Sequence, residues 1–284
     1  MQPSNPPESP EQSLPVMAQP YVPPPSDAPR KTIVALGWGQ PFVWLRKGAA
    51  DLLAHPGIAA FYGVAFCTMA IVLAAVFRSK PEYTMSIASG CLLVGPFLAM
   101  GLYEVSRRRE LGITPELGAS VTCWDRHLGS MGLLVLVLVV LELLWGRASL
   151  VVFAVFFNTG MPSTTGVLEA VFNPQNWEFV AAYAAVGGAF AMLVFSTAVV
   201  SIPMILDRDT DAISAAITSL EVVFHNTAVM VLWGLLLTAL VVLAMLLPWS
   251  LGLLVVGPWL GHASWHAYRG AVQWPGDVTV APTN

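Results

Sequence analysis

The segment LLVGPFLAMGLYEVSRR at residues 92–108 returns as LVVGPWLGHASWHAYRG at residues 254–270. Six positions are identical at a constant offset: Leu92/Leu254, Val94/Val256, Gly95/Gly257, Pro96/Pro258, Leu98/Leu260 and Arg107/Arg269. Both copies are apolar and end in arginine, which is typical of a membrane helix that enters the cytoplasm. The repetition therefore predicts an internally repeated membrane protein with several spans.

The composition of the whole chain supports this prediction. Hydrophobic residues make up 56% of the chain and charged residues 11%, against about 25% charged residues in soluble domains. The mean hydropathy is +0.69. A soluble domain with so few polar residues could not cover its surface, whereas a lipid bilayer solvates an apolar surface. The composition thus excludes an ordinary soluble fold and indicates an all-α, polytopic transmembrane bundle.

The N-terminal region differs from the rest of the chain. Its first 30 residues hold 10 of the 22 prolines and few bulky apolar side chains. Such a stretch cannot bury enough surface to offset its ordering entropy. We predict a disordered, Pro-rich cytoplasmic tail over 1–37, a membrane domain over 38–272 and a short C-terminal tail over 273–284. The tail lacks the basic start of a signal peptide, so we expect it to stay attached.

Six apolar runs follow the tail, and each reaches or approaches the roughly 20 residues that cross a bilayer. They are Pro56–Phe77, Met85–Val105, Leu128–Trp145, Phe179–Leu206, Thr227–Leu247 and Ser250–Tyr268. Before the first run, apolar and basic residues alternate at helical spacing from Trp38, which predicts a helix lying in the membrane interface. The apolar stretch Ala148–Phe157 either extends the third span or lies in the outer interface.

The distribution of basic residues predicts the orientation of the spans. With the N-terminus inside, ten basic residues lie on the cytoplasmic side and three on the other. The ten are Arg30, Lys31, Arg46, Lys47, Arg107, Arg108, Arg109, Arg126, Arg208 and Arg269; the three are Arg78, Lys80 and Arg147. We expect both termini in the cytoplasm and the protein in a bacterial inner membrane.

The repeat extends upstream of the two matching segments. Asp51 and His55 precede the first span with three residues between them, and Glu221 and His225 precede the fifth in the same way. A third, less similar copy has Asp125 before the third span. Pro203 in the fourth span corresponds to Pro96 and Pro258 of the other copies. We predict three parallel units, each an interfacial helix followed by a two-helix hairpin. Their bounds are about 38–109, 114–209 and 210–272.

Three segments carry a resemblance to a known family: VVSIPMILDRDTDA (Val199–Ala212), LLVGPFLAMGLYEVSRR (92–108) and GPWLGHASWHAYR (Gly257–Arg269). With them, the chain from about Trp38 to Val272 resembles a bacterial integral-membrane family known as a domain of unknown function. Some of its members are described as cytochrome c oxidase subunits. The resemblance implies an accessory or assembly partner of a respiratory complex, because this chain has about half the spans and fewer histidines than the central oxidase subunit.

The histidines are the candidate ligands for haem or a metal. His262 and His266 are spaced i, i+4, so both side chains lie on one helical face and could bind a metal or haem. Packing at the polar end of a membrane helix is the alternative that we favour. His55, His127 and His225 recur at three span entrances, where we expect them to satisfy free backbone N–H groups rather than to bind haem.

An acidic cluster follows the fourth span. It consists of Asp207, Arg208, Asp209 and Asp211. The three aspartates have the spacing of the first calcium ligands in an EF-hand loop. However, Ala212 and Thr218 occupy the positions where that loop requires glycine and glutamate, which excludes an EF-hand. Binding of a divalent ion or of a lipid headgroup by this cluster remains an alternative. We favour a structural role in which Asp209 or Thr210 caps the next helix and Arg208 marks the cytoplasmic face.

The pairs Gly95–Pro96 and Gly257–Pro258 lie inside spans two and six. Matching breaks in repeated spans are a pointer to a transporter binding site, because freed backbone groups can face a solute. The alternative is close helix packing at glycine with a kink at proline. The apolar runs hold few ionisable groups, which disfavours an ion-coupled transporter.

No catalytic motif is present, and the three cysteines form no metal-binding pattern. The sparse basic residues exclude a nucleic-acid interface. The sequence thus predicts a non-catalytic membrane protein that acts through the lipid bilayer and through a membrane-protein partner or a homo-oligomer. A small-solute transporter or channel is the alternative, with the two Gly–Pro pairs lining its path.

Overall fold

The computed structural model describes residues 31–79, 84–157 and 173–275. Within them the chain is almost entirely helical, as its long apolar runs predict. The helices are α1 (Gln40–Ala54), α2 (Pro56–Ser79), α3 (Thr84–Glu110), α4 (Leu117–Val121), α5 (Leu128–Phe156), α6 (Trp177–Ala198), α7 (Ser201–Arg208), α8 (Ala212–His225), α9 (Thr227–Leu246) and α10 (Leu253–Ala271). Two short strands, β1 (Thr32–Ile33) and β2 (Val272–Gln273), pair in antiparallel fashion.

Four helical segments of the described chain are long and apolar enough to cross a membrane. They are Pro56–Ser79, Leu117–Phe156, Trp177–Arg208 and Thr227–Leu246. The helices α3 and α10 are not among these four segments, and their second halves carry polar and charged side chains. These halves are buried against other helices. The prediction of an all-α membrane bundle is confirmed, and the count of six spans stays a prediction.

A buried layer lies at the end of the bundle where α3 and α10 finish. We call it the cap; it comprises α1, α4, α7, α8, residues 100–110 of α3 and residues 260–271 of α10. Trp44 of the cap meets Trp233 of α9 edge to face, with the ring centroids 5.4 Å apart. Away from the cap, the helices expose large apolar side chains, as a lipid-facing surface does; examples are Leu136, Leu144, Val155 and Leu246.

The helix α10 is held at the centre of the cap by close backbone contacts. A Cβ atom on Gly63 of α2 would lie 2.1 Å from the carbonyl oxygen of Leu254, and one on Gly48 of α1 would lie 2.6 Å from the backbone nitrogen of Ala263. Pro258 has no N–H to bond the carbonyl of Leu254 four residues earlier. The Leu254 carbonyl, which has no N–H partner at Pro258, therefore packs against Gly63, because glycine has no Cβ atom to collide with it.

Residues 148–156 continue the helix α5 and do not form a separate helix. The helix α5 continues through Phe156 for 29 residues, or about 43 Å at 1.5 Å per residue. Its far end packs on α6 through aromatic rings, with Phe153 and Phe179 centred 4.8 Å apart. The Ser149 hydroxyl donates to the Tyr183 oxygen at 3.1 Å.

The long apolar segment Trp177–Arg208 is broken near its end. The helix α6 stops at Ala198 and α7 starts at Ser201. Pro203 explains the break, because it cannot donate to the carbonyl of Val199 and its ring crowds that carbonyl. The free N–H of Val200 donates instead to the Ser219 hydroxyl at 3.1 Å.

The predicted tail is too long at its C-terminal boundary. Residues from Lys31 onward pack on the cap: β1 pairs with β2, and the Leu36 amide donates to the Asn226 side chain at 2.8 Å. The Lys31 ammonium lies 2.9 Å from a Glu221 carboxylate oxygen. These partners are distant in sequence, so local composition could not reveal them. Residues 1–30 and 276–284 lie outside the described residues.

The turn between α9 and α10 lies beside the middle of α2. The Cys67 thiol donates to the carbonyls of Trp249 and Ser250 at 3.5 and 3.7 Å. Trp249 and Ser250 both have positive φ, at 57° and 55°, which makes this a tight reversal of the chain. The hairpin of α9 and α10 therefore ends about half-way along α2.

Candidate functional site: a buried histidine–carboxylate network

The carboxylate of Asp51 is the centre of the buried polar network in the cap. Asp51 lies in the last turn of α1 and is 3% exposed. Its Oδ2 accepts from the Ser106 hydroxyl at 2.6 Å and from His266 Nε2 at 2.8 Å. The Arg109 guanidinium donates to Oδ1. Three helices, α1, α3 and α10, thus converge on one carboxylate.

The second histidine joins the network through the same serine. Ser106 Oγ lies 2.8 Å from Nδ1 of His262. A hydroxyl has one hydrogen, and that of Ser106 is donated to Asp51. The Ser106 oxygen must therefore accept from Nδ1–H of His262, which assigns the tautomer of a neutral His262 ring with its proton on Nδ1.

The other nitrogen of His266 extends the network toward the surface. His266 Nδ1 lies 3.4 Å from Glu110 Oε1, so both ring nitrogens face carboxylate oxygens. Glu110 and Asp207 lie 3.3 and 3.6 Å from the Arg269 guanidinium. The carboxylates and cations alternate, so that the buried charges are paired, as a low-dielectric interior requires.

The charge state of Asp51 follows from these contacts. Burial alone would raise its pKa, but hydrogen bonds from His266, Ser106 and Arg109, together with the positive charge of His266, lower the pKa to about 2. Asp51 is therefore ionised at neutral pH. A buried, ionised carboxylate of this kind joins the three helices through charge-assisted bonds, which are stronger than neutral ones.

The donor set does not fit haem. The two imidazoles stand on one face of α10 and point at the same carboxylate region, whereas two axial ligands must approach one iron from opposite sides. His266 has both ring nitrogens facing carboxylates, and His262 has Nδ1 engaged by Ser106. Among residues 31–79, 84–157 and 173–275, no three His, Cys, Asp or Glu side chains are grouped to hold a metal ion.

The remaining histidines are not brought together. His55 lies half-buried between α1 and α2, and His225 is exposed at the end of α8. The ring of His127 donates from Nδ1 to the Cys123 carbonyl at 3.1 Å and faces Asp209 at 3.5 Å. The prediction that these rings cap helix starts is wrong for His127 and His225, since one bonds a carbonyl and the other ends a helix.

The acidic cluster divides into separate roles. Asp211 caps α8, because its Oδ1 accepts from the amides of Ile213 and Ser214 at 3.0 and 2.9 Å. These hydrogen bonds lower the pKa of the exposed Asp211 carboxyl. The predicted cap at Asp209 or Thr210 is wrong: Asp209 ends α7 in the left-handed region, with φ of 50°.

Asp207 points inward, unlike the other two acids. Its Oδ2 accepts from the Tyr268 hydroxyl at 2.8 Å and from Arg208 Nε at 3.0 Å. Arg208 also lies over the Trp274 ring, 5.1 Å from its centroid. Asp207 therefore belongs to the outer part of the histidine–carboxylate network.

The two Gly–Pro pairs have different surroundings. A Cβ atom on Gly257 would lie 2.8 Å from the Phe66 ring, whereas one on Gly95 would have open space around it. Pro96 and Pro258 are both buried inside their helices. The packing of Gly257 favours the helix-contact alternative over a solute path that both pairs would line.

Sequence reasoning missed the partnership of Asp51 and Ser106 with the two histidines. The sequence shows Asp51 as part of a repeated acid–histidine spacing with His55. No sequence spacing signals its contact with His266, because the residue that aligns with His266 in the first copy is Glu104, and Glu104 pairs with Arg107 and Arg108 instead.

A comparison with known families finds a match to the central part of the chain. The model of a family described as predicted integral membrane protein (DUF2189) matches residues 83–207. The match runs from the start of α3 to the end of α7 and leaves out α1 and α10. Neither the curated proteins nor the solved structures gave a significant match. The chain is an integral membrane protein, and it would sit in a lipid bilayer.

Proposed function

We propose that the protein is a non-catalytic accessory or assembly subunit of a cytochrome c oxidase-type complex in a bacterial inner membrane. The proposal of a non-catalytic role rests on one observation: Asp51, His262 and His266 are paired with one another through hydrogen bonds inside the protein. The side chains best suited to chemistry are bonded to one another inside the cap. They therefore stabilise the junction of three helices and leave the outer surface to make functional contacts.

The outer face of α5 is the surface that we assign to a partner subunit. Leu136, Val140 and Leu143 recur at spacings of four and three residues and are 57%, 46% and 52% exposed. Residues at this spacing form one stripe along a helix. An apolar stripe suits both lipid and another membrane helix, and the family resemblance points to an oxidase subunit as that helix.

The test is purification of the full chain from its native membrane in mild detergent. An optical spectrum and mass spectrometry are recorded on the same chromatographic peak. We expect haem bands and oxidase subunits at fixed stoichiometry with this chain. A colourless peak that holds this chain without them would overturn the respiratory partner.

Matched variants locate the contact. Replacing Leu136, Val140 and Leu143 together by alanine should release the oxidase subunits. The control replaces Leu235, Val242 and Leu243 of α9, which are exposed to a similar degree, and should leave them bound. Equal retention in both variants would refute the assignment of the α5 face.

We also propose that the chain forms three parallel units and six spans with both termini in the cytoplasm. The contacts between helices support this arrangement. The first helix of each unit packs on a helix of another unit: α1 on α10, α4 on α3, and α8 on α6 and α7. The same relation at each junction is what repeated units around one axis would produce.

Single-cysteine labelling with a membrane-impermeant reagent tests the topology. Cys67, Cys91 and Cys123 are first replaced by serine, and one cysteine is then introduced at Ser79, Trp249 or Lys47. Six spans predict labelling from outside at positions 79 and 249 and from inside at position 47. Because Trp249 lies beside the middle of α2, it decides the question: protection from outside at 249, with labelling at 79, would overturn the six-span arrangement.

A further inference from the structure

A cleft of about 420 Å³ opens on the cap, away from the histidine–carboxylate network. It lies between the end of α3, the helix α4 and the turn before α5. Arg107, Arg108, Arg126 and His127 contribute basic groups to its wall, and Thr122 contributes a hydroxyl. We call it the basic cleft.

The basic cleft has more positive than negative charge. Glu104, buried at its base, accepts from Nε of Arg107 at 2.8 Å and from Nε of Arg108 at 2.7 Å. Asp125 is its other carboxylate. Among the residues that line the cleft, three arginines thus face two carboxylates. Asp209 lies outside the lining, 3.5 Å from the His127 ring, and its carboxylate is exposed to solvent.

The arginines keep donors for a ligand. The Glu104 carboxylate holds Arg108 by Nε alone, and within the described residues the Nη groups of Arg108 donate to no protein atom. Glu104 therefore fixes the direction of the guanidinium while leaving its outer edge free. A planar edge of this kind matches the oxygens of a phosphate group.

The basic cleft adjoins an apolar surface. The helix α5 starts directly after His127, and its first two turns expose Leu128 and Leu133. Glycines at 129 and 132 leave open space on these turns. A phosphate group in the basic cleft would therefore have room for an attached acyl chain along α5.

We propose that the basic cleft binds the phosphate group of an anionic membrane lipid. Basic pockets between membrane helices on the cytoplasmic side favour anionic headgroups, and the expected orientation places this cleft on that side. The site is independent of the proposed oxidase partner. A soluble phosphate compound would use the same arginine donors without the apolar surface, so the two sources can be separated by experiment.

The test measures the thermal midpoint of the purified full chain in detergent with three additives. They are dioleoylphosphatidylglycerol, dioleoylphosphatidylcholine and inorganic phosphate. A ligand that binds the folded protein raises the midpoint with its concentration. We expect phosphatidylglycerol to raise it several degrees more than phosphatidylcholine or phosphate. Equal shifts with the two lipids, or a shift with phosphate as large as that with phosphatidylglycerol, would overturn the lipid site.

Variants assign the effect to the basic cleft. Arg126→Gln should weaken the apparent affinity for phosphatidylglycerol at least about tenfold without unfolding the protein, because Arg126 is exposed. Arg46→Gln is the control, since Arg46 is also exposed and basic but lies on α1 outside the cleft. Native mass spectrometry of retained phosphatidylglycerol gives a second readout. Binding by Arg126→Gln equal to that of the wild-type protein, in both readouts, would overturn the proposal.

Discussion

Asp51→Asn tests whether the buried carboxylate joins α1, α3 and α10. The amide keeps the shape of the side chain but removes its charge and one acceptor oxygen. The Ser106 hydroxyl and the His266 ring both donate to the same oxygen in the wild-type protein. In the variant both buried donors lose their charged acceptor, and an amide oxygen placed at the Oδ2 position leaves the amide –NH2 group facing the Arg109 guanidinium.

The size of the effect follows from the burial of the partners. Removing one member of a buried ion pair costs about 3–5 kcal/mol. The Arg109 side chain is 40% exposed, and an exposed pair contributes less than about 1 kcal/mol. The expected loss is therefore about 3 kcal/mol, mostly from Ser106 and His266. At about 2–4 °C per kcal/mol for a domain of this size, the thermal midpoint should fall by about 6–12 °C.

The assay is thermal unfolding of the full chain in detergent, followed by the fluorescence of its tryptophans. Glu221→Gln is the matched control, because Glu221 occupies the corresponding place in the repeat but is 46% exposed and pairs with Lys31. Its midpoint should change by less than about 4 °C, since an exposed pair contributes less than about 1 kcal/mol. A midpoint of Asp51→Asn within 2 °C of the wild-type protein would show that the network does not stabilise the fold.

Three further outcomes are expected from the same assay. Gly63→Ala should destabilise the protein by about 1–3 kcal/mol, because its Cβ would lie 2.1 Å from the backbone oxygen of Leu254. Trp259→Phe should cost about 1 kcal/mol, since the indole N–H donates to the Leu45 carbonyl at 2.8 Å. The lowered pKa of Asp51 means that its ionised form stabilises the protein above the ordinary value of 3.8. The difference in midpoint between the wild-type protein and Asp51→Asn should therefore shrink as the pH falls from 3.8 toward about 2.

Controls and contrary results differ among these three. Gly95→Ala should be neutral or slightly stabilising, because open space surrounds its Cβ position and alanine favours a helix; an equal loss in both glycine variants would contradict the packing argument. For Trp259, the control is Trp177→Phe at an exposed position, and matching shifts would exclude a role for the hydrogen bond. A difference in midpoint that stays constant down to pH 2 would refute the pKa shift of Asp51.

The helices of the fold could be predicted from the sequence, whereas the contacts of the segments outside the apolar runs could not. Long apolar runs predicted the helices because a run of that length has few other structures in a bilayer. The amphipathic pattern of α1 was also visible in its alternating basic and apolar residues, and its place in the membrane interface stays a prediction. The same local patterns could not show that residues from Lys31 onward pack on the cap, since their partners lie about 190 residues away.

The sequence predicted the two histidines of the candidate site but not the residues that contact them. The spacing of His262 and His266 placed both rings on one face of a helix, and α10 confirms that geometry. The choice between haem, a metal and packing depended on the atoms opposite that face. Those atoms come from α1 and α3, and no local spacing connects them to α10.

The sequence by itself determined that this chain enters a bilayer, because hydrophobic transfer depends on composition and run length rather than on partners. It also determined the repeated segments and the helical faces on which their polar residues lie. Only the tertiary structure decided that Asp51, Ser106, His262 and His266 form one network. Hydrogen bonds require contact within about 3 Å. The approach of α1 to α10 depends on packing between Gly48 and Ala263, and that of α3 on packing between Leu102 and Gly261, and the two members of each pair are far apart in sequence.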